Sequence, residues 1–303
     1  MVASMKSLVF TTVAGALLAT SASGTAVGEP FDQWFYLQTQ SANVITWGGF
    51  NASTGEFLGE GVCADAAVSV NSLSVDRDPI TQTLYVLGNN GVFVNDYAAN
   101  RCALNQILSV SDLPASTVSL RGVSLNDAAT RLYVLWYDGD SATYVISTVD
   151  LSTETIVDSL DLQSANLIAT DAEKLALLDG SFYIASSDNR LWEFDAASGN
   201  ELAVHPGPVG AGRPLGLDRA GDGLIHGVVT LDGQEVAAFT TFNPANSTWS
   251  PLVPTSYQRL GYTYVEADPV LAETGFDSAG FFVGSAALVA VGGLAVFRRR
   301  IRR

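Results

Sequence analysis

Five short apolar, aromatic-rich runs recur along the chain: Trp34-Phe35-Tyr36-Leu37, Leu84-Tyr85-Val86-Leu87, Leu132-Tyr133-Val134-Leu135, Phe182-Tyr183-Ile184-Ala185 and Ile225-His226-Gly227-Val228. Their second or third members lie at 36, 85, 133, 183 and 226, a spacing of 43 to 50 residues. A period of that length constrains the fold more than any single motif. Each repeat must be one supersecondary unit that buries its apolar surface against its neighbours. β-Branched and aromatic residues in such short runs favour strands over helices.

A second strand, ending in a polar turn, follows each run: Trp47 to Gly55, Phe93 to Arg101, Val149 to Glu154, Phe194 to Gly199 and Phe242 to Ser247. The turn opens with Asn51, Asp150, Asp195 or Asn243 in four copies, and Tyr97 breaks the pattern in the other. Asp and Asn suit that place because they hydrogen-bond the backbone of their own turn. A further apolar stretch leads away, as at Glu56 to Leu58 and Thr155 to Val157. Before four of the runs lies another strand: Leu73 to Asp76, Gly122 to Leu125, Leu175 to Leu178 and Leu215 to Asp218. Four strands per unit, joined by short polar turns, predict an all-β fold and a five-bladed β-propeller. The domain resembles the broad propeller superfamily of WD-like, NHL-like and quinoprotein-like repeats, at the level of fold and without their diagnostic motifs. The first copy lacks its leading strand, and Leu260 to Val265 supplies one after the fifth. Pairing the two would close a ring and cover two sheet edges. A sandwich or an open stack of hairpins is the rival arrangement.

The two ends carry addresses. In residues 1–26, Lys6 precedes an apolar stretch from Leu8 to Ala19, and small residues surround a cleavage site after Ala26, with Ala22 as a rival. That order predicts a secretory signal peptide. At the other end, Leu271-Ala272-Glu273-Thr274-Gly275 precedes an uncharged run from Ala279 to Phe297 and five arginines within the last six residues. Nineteen helical residues reach about 28 Å, close to the hydrocarbon thickness. The terminal arginines favour the cytoplasmic side. In sum, the last 33 residues resemble a Gram-positive cell-wall sorting signal, LPXTG-like, with Ala272 where the commonest motif has Pro. The Leu-Ala-x-Thr-Gly form resembles substrates of actinobacterial class E sortases. The resemblance implies cleavage between Thr274 and Gly275, with a transient sortase partner and covalent transfer of Thr274 to peptidoglycan. The expected organisation is a signal peptide over 1–26, an exported propeller-like domain over 27–268, a linker and sorting motif over 269–275, and a transmembrane helix with basic tail over 276–303.

With both ends removed, the span 27–274 keeps nine basic and thirty acidic residues, a formal −21, with Lys174 its only lysine. That charge argues against nucleic acid as a partner and reads first as a solvated acidic surface. Outside the membrane, Cys63 and Cys102 are able to form a disulfide, whose loop of about 40 residues would contribute roughly 2–4 kcal/mol.

No serine-hydrolase elbow, His-Glu-x-x-His or phosphate-cradling loop occurs, so no catalytic residue, metal site or cofactor is expected. His205 reads as a loop residue beside Pro206. His226 lies on a strand, able to face either way. Asp218 to Gly223 faintly resembles a calcium loop but lacks its closing Glu and reads as a hairpin turn. Asp76-Arg77-Asp78-Pro79 and Asp138-Gly139-Asp140 read as turns as well. The expected function is a surface-displayed, non-catalytic binding or scaffold module attached to peptidoglycan, with a glycan, peptide or envelope protein as ligand. The alternative is a wall-anchored, glycoside-hydrolase-like enzyme. Two or three carboxylates gathered at one mouth of the ring, with aromatic walls, would favour it.

Overall fold

All five recurrent runs lie in the second strand of an antiparallel sheet, and the five sheets form the blades of a β-propeller. The computed structural model describes residues 32–41, 44–63, 74–96, 103–164, 166–167, 171–234, 236–255 and 262–265. The first blade contains β1 (Gln33–Ser41), β2 (Val44–Asn51) and β3 (Phe57–Cys63). The second contains β4 (Ser74–Arg77), β5 (Thr83–Gly88), β6 (Gly91–Asp96) and β7 (Asn105–Ser109). Strands β8 (Val118–Leu125), β9 (Arg131–Asp138), β10 (Thr143–Asp150) and β11 (Thr155–Asp161) make the third. The fourth is β12 (Ala172–Leu178), β13 (Ser181–Ser186), β14 (Arg190–Asp195) and β15 (Glu201–Pro206). The fifth is β16 (Ala211–Arg219), β17 (Ile225–Leu231) and β18 (Ala237–Asn243), with an outer edge split between β19 (Thr248–Trp249) and β20 (Val253–Pro254).

The last strand, β21 (Tyr262–Val265), returns to the first blade and pairs with β1, setting Tyr262 opposite Tyr36 and Val265 opposite Gln33. The innermost strands β21, β4, β8, β12 and β16 stand side by side in that order, and β16 packs back against β21. The ring is closed by the chain's own end, and the sandwich and open-stack arrangements are ruled out.

Both faces of every blade are covered, which explains why the runs do not alternate apolar with polar. Leu132, Val134 and Trp136 of β9 pack toward the second blade with Tyr85, Leu87 and Val92. Leu135 of the same strand packs toward the fourth, with Phe182, Ile184 and Trp192. The period-two geometry of a strand therefore sends successive residues of one run to two different interfaces. Phe35 and Leu37 meet Val75, Leu84 and Val86 between the first and second blades. Ala176 and Tyr183 meet Leu217, Ile225 and Phe242 between the fourth and fifth. The closing interface is the most aromatic. Trp34 stacks on Phe239 at 5.6 Å, Tyr262 and Tyr264 meet Trp34 edge-on, and Phe50 lies 5.7 Å from Phe239. Fully burying each such side chain stabilises the fold by roughly 1.5–3 kcal/mol.

The polar turns behave as their residue types require. The Oδ1 atoms of Asn51, Asp150 and Asp195 each accept two backbone N–H groups of their own turn, and that of Asn243 accepts one. The Ser152 and Ser198 hydroxyls hold Asp150 and Asp195 below the usual carboxylate range.

Among the described residues no helix is long and apolar enough to cross a membrane. The one short helical element with named bounds, Val110–Asp112, is a 3-10 turn capped by Ser109 and Asp112. The signal peptide, the sorting motif Leu271 to Gly275, the expected membrane span 276–303 and Tyr97 lie outside the described residues. So do Cys102 and the side chain of Cys63, and with them the disulfide.

Candidate functional site

A propeller exposes its inner strands around a central channel, and the side chains there follow a register that the repeat imposes. Opposite the second residue of the five runs stand Thr263, Asp76, Ser124, Ala176 and Asp218. Neighbouring inner strands are not hydrogen-bonded to each other as a ladder, so their N–H groups need other acceptors. Three of these five residues provide one in the same way. Asp76 Oδ2 accepts the N–H of Leu125 at 2.6 Å, Ser124 Oγ that of Leu177 at 3.0 Å, and Asp218 Oδ2 that of Tyr264 at 2.8 Å. In each case a side chain on one blade bonds the following backbone position on the next blade. The remaining oxygens are also occupied. Asp76 Oδ1 takes the N–H of Arg77, Asp218 Oδ1 that of Arg219, and Asp218 Oδ2 the hydroxyl of Thr263 at 2.6 Å.

Asp76 and Asp218 therefore sit buried on the inner strands expected over Leu73 to Asp76 and Leu215 to Asp218, and the turns also read from these two acids begin further along the chain. Burial pushes both carboxyls above the usual range, and the nearby Asp76 charge raises Asp218 further. The Arg219 guanidinium partly offsets the cost at Asp76. It spans from the fifth blade to the third, where it reaches Leu125 O at 3.4 Å and Asp127 Oδ1 at 2.5 Å. This end of the channel is thus two buried acids beneath a crossing arginine.

The other end carries a different set of charges. Opposite the last residue of four runs stand Ser74, Gly122, Lys174 and Gly216. A Cβ on Gly122 would lie 2.7 Å from Leu175 N, and one on Gly216 2.7 Å from Tyr262 Cβ, so neighbouring inner strands touch backbone to backbone here. Lys174 is the one large side chain at this level among the described residues. Its amine is pushed down to about 8 by burial and by the Arg213 and Arg121 charges, against the pull of Glu173. Register shifts at Arg121 and Glu173 mark bulges beside it. Arg213 Nε donates to both oxygens of Glu173, at 2.8 and 2.7 Å, across the one inner-strand boundary where Ala176 cannot reach over. Arg121 approaches the exposed Asp171 only to 3.7 Å, and its buried Nε has no hydrogen-bond partner.

Of the two histidines, His226 lies on a strand as expected, and His205 departs from its loop reading. His205 lies on β15, buried, with Nε2 at 3.2 Å from Glu193 and its ring 4.8 Å from Phe242. It was expected in a loop; the strand extends to Pro206, which is tolerated at an outer edge. His226 lies 3.0 Å from Asp222 and stacks on Tyr264 at 3.7 Å. Each thus has a carboxylate partner that linear spacing concealed for His205 and offered only at four residues for His226. Glu193 also accepts the Ser181 hydroxyl at 3.1 Å, so the acid stands between serine and histidine. In that order the imidazole cannot take the serine proton directly, unlike a nucleophile–base pair.

The Asp218 to Gly223 segment is a hairpin in which Asp222 accepts the N–H of Leu224 at 2.9 Å. Among the described residues no three His, Cys, Asp or Glu side chains lie close enough to hold a metal ion. A shallow groove lies between the fourth and fifth blades, lined by Leu191, Gly207, Pro208, Gly216, Gly227 and Trp249. Trp249 is fixed there by an Nε1 bond to Pro206 O at 2.8 Å.

No family model matches the chain, and no curated protein matches it. Among solved structures it is similar to a chain of Kuenenia stuttgartiensis hydrazine synthase, at 12% identity and a TM-score of 0.39, over 60% of this chain and 48% of that one. It is also similar to a chain in a crystal structure of the mitotic checkpoint complex, at 10% identity and a TM-score of 0.38, over 64% of this chain and 63% of the other.

Proposed function

We propose that this propeller is a surface-displayed, non-catalytic binding or scaffold module, exported by residues 1–26 and joined to peptidoglycan through Thr274 by a sortase. The observation that carries display is the order of three parts: Leu271 to Gly275, the uncharged run Ala279 to Phe297, and the terminal arginines. The span holds the chain in the bilayer, and the arginines resist translocation because such charges are costly in hydrocarbon. Thr274 is then presented to an extracytoplasmic cysteine enzyme. The non-catalytic reading is supported by the acids at the channel. Every oxygen of Asp76 and Asp218 already accepts a backbone N–H, and burial under Arg219 leaves little room for a substrate or a water. The alternative, a wall-anchored carbohydrate-active enzyme, draws on the same pair, since glycoside hydrolysis uses two neighbouring carboxyls, one protonated as the acid and the other ionised as base or nucleophile.

Two experiments test the reading. Thr274→Ala should block transfer while sparing export, trapping full-length protein in membranes. Wild-type wall fragments should carry a peptide ending at Thr274 joined to a peptidoglycan amine. Recovery of the wild type solely as intact chain in membranes would defeat the sortase step. For function, the protein is presented with wall polysaccharides, scoring retention and new reducing ends separately. Retention without cleavage is expected; cleavage that survives purification and is lost in Asp218→Asn would establish the enzyme instead.

A further inference from the structure

The channel end built by β8, β12 and β16 has a feature that blade packing does not require. In an exported span whose formal charge is −21, Arg121 and Arg213 each lie within electrostatic reach of Lys174. They make three of its nine basic residues, set against Glu173 and Asp171. Glu173 is committed to Arg213 through Nε, and Arg213 is otherwise largely exposed, at 64% of its side chain. Asp171 is 69% exposed and 3.7 Å from Arg121, too long for a hydrogen bond. The buried Arg121 Nε donates to nothing, an arrangement that a folded protein normally avoids. Close approach at Gly122 sets the backbone beside Arg121 against that of Lys174 and Leu175, so the two side chains start from touching stretches of backbone.

We infer that Arg121 and Arg213, with Lys174 beneath them, form a binding site for a compact oxyanion — a carboxylate, sulfate or phosphate group of the module's ligand. This rests on the binding-module reading and names the chemistry that it would recognise. A guanidinium presents a planar fork of donors that matches such an anion, and a desolvated ammonium below it adds charge without competing for the same acceptors. The anion would supply the acceptor that Arg121 lacks. It would also favour the protonated amine of Lys174, whose ordinary charge burial opposes.

The test uses the full chain in detergent micelles, labelled with 13Cε-lysine; the two lysines, Lys6 and Lys174, give two resonances. Sulfate, phosphate and glucuronate are titrated separately at constant ionic strength, with glucose as the neutral control. Saturable binding of at least one oxyanion is expected, with the Lys174 amine rising from about 8 as the site fills. Arg121→Gln should weaken that binding roughly ten- to hundredfold. Arg213→Gln provides a second variant should the first fail to fold, and Arg131→Gln, on an exposed turn-proximal position, should change nothing. No saturable shift with any oxyanion, or equal affinity in a folded Arg121→Gln or Arg213→Gln protein, overturns the inference. If a neutral wall polysaccharide is nevertheless retained, the site assignment alone has failed and the binding module stands. If an oxyanion binds while no polysaccharide is retained, the site stands and the glycan form of the module reading fails.

Discussion

The residue opposite the second member of each run shows how one position can be solved with different chemistry. Ser124 meets a neighbouring N–H with a hydroxyl; Asp76 and Asp218 meet theirs with carboxylates whose ionisation is opposed by burial. A folded-state carboxyl raised above its ordinary value contributes stability below that ordinary value and loses it as pH rises through the raised one. The surface acids Asp138, Asp140, Asp150 and Asp195 are lowered, so their contribution fades only on acidification below the ordinary range. Over the interval from the ordinary aspartate range up to the raised values of the channel pair, stability should therefore fall with rising pH. Asp76→Ser keeps an acceptor for Leu125, as Ser124 does for Leu177, and removes the like charge from Asp218. Denaturant unfolding across that interval should show a flatter pH slope for the variant than for the wild type. An identical slope would mean that the pair does not titrate there.

At the scale of the element, the inner strands are set by what they lack. Gly122 and Gly216 let adjacent inner strands touch, whereas Gly227 has its nearest neighbour, Thr240 Cγ2, at 3.4 Å from a would-be Cβ. Gly122→Ala must push β8 from β12, and overpacking of this kind costs roughly 1–3 kcal/mol. Gly227→Ala has ordinary van der Waals room and should cost less. The difference is readable as a gap between their denaturation midpoints, and equal midpoints would contradict the contact described at Gly122. The outer strands obey no such constraint: β11 is largely exposed, and the outermost edge of the fifth blade is broken into two short pieces that both pair with β18.

At the scale of the whole molecule, closure depends on four described residues from the far end of the chain. Tyr262 and Tyr264 fill the aromatic interface between the fifth and first blades, and Thr263 and Tyr264 satisfy Asp218. Deleting residues 257–265 should expose two sheet edges and strand a buried carboxylate, abolishing cooperative unfolding. The same nine residues moved ahead of β1 should restore it, because a ring does not record where its chain begins. A deletion that melts as the parent does would refute this. The blade number, the central position of each run and the closing strand were all legible in the sequence, because they depend on local pattern: strand propensity, turn residues and a period of 43 to 50. The proposed sorting signal is a local pattern of the same kind, and it lies outside the described residues. The cross-blade bonds of Asp76 and Asp218, the pairing of His205 with Glu193, and the gathering of Arg121 and Arg213 about Lys174 were not legible. Their partners lie on other strands or other blades, and only closure of the ring brings them within reach. Burial then decides what each charge is worth, since desolvation acts on position in space and not on position along the chain.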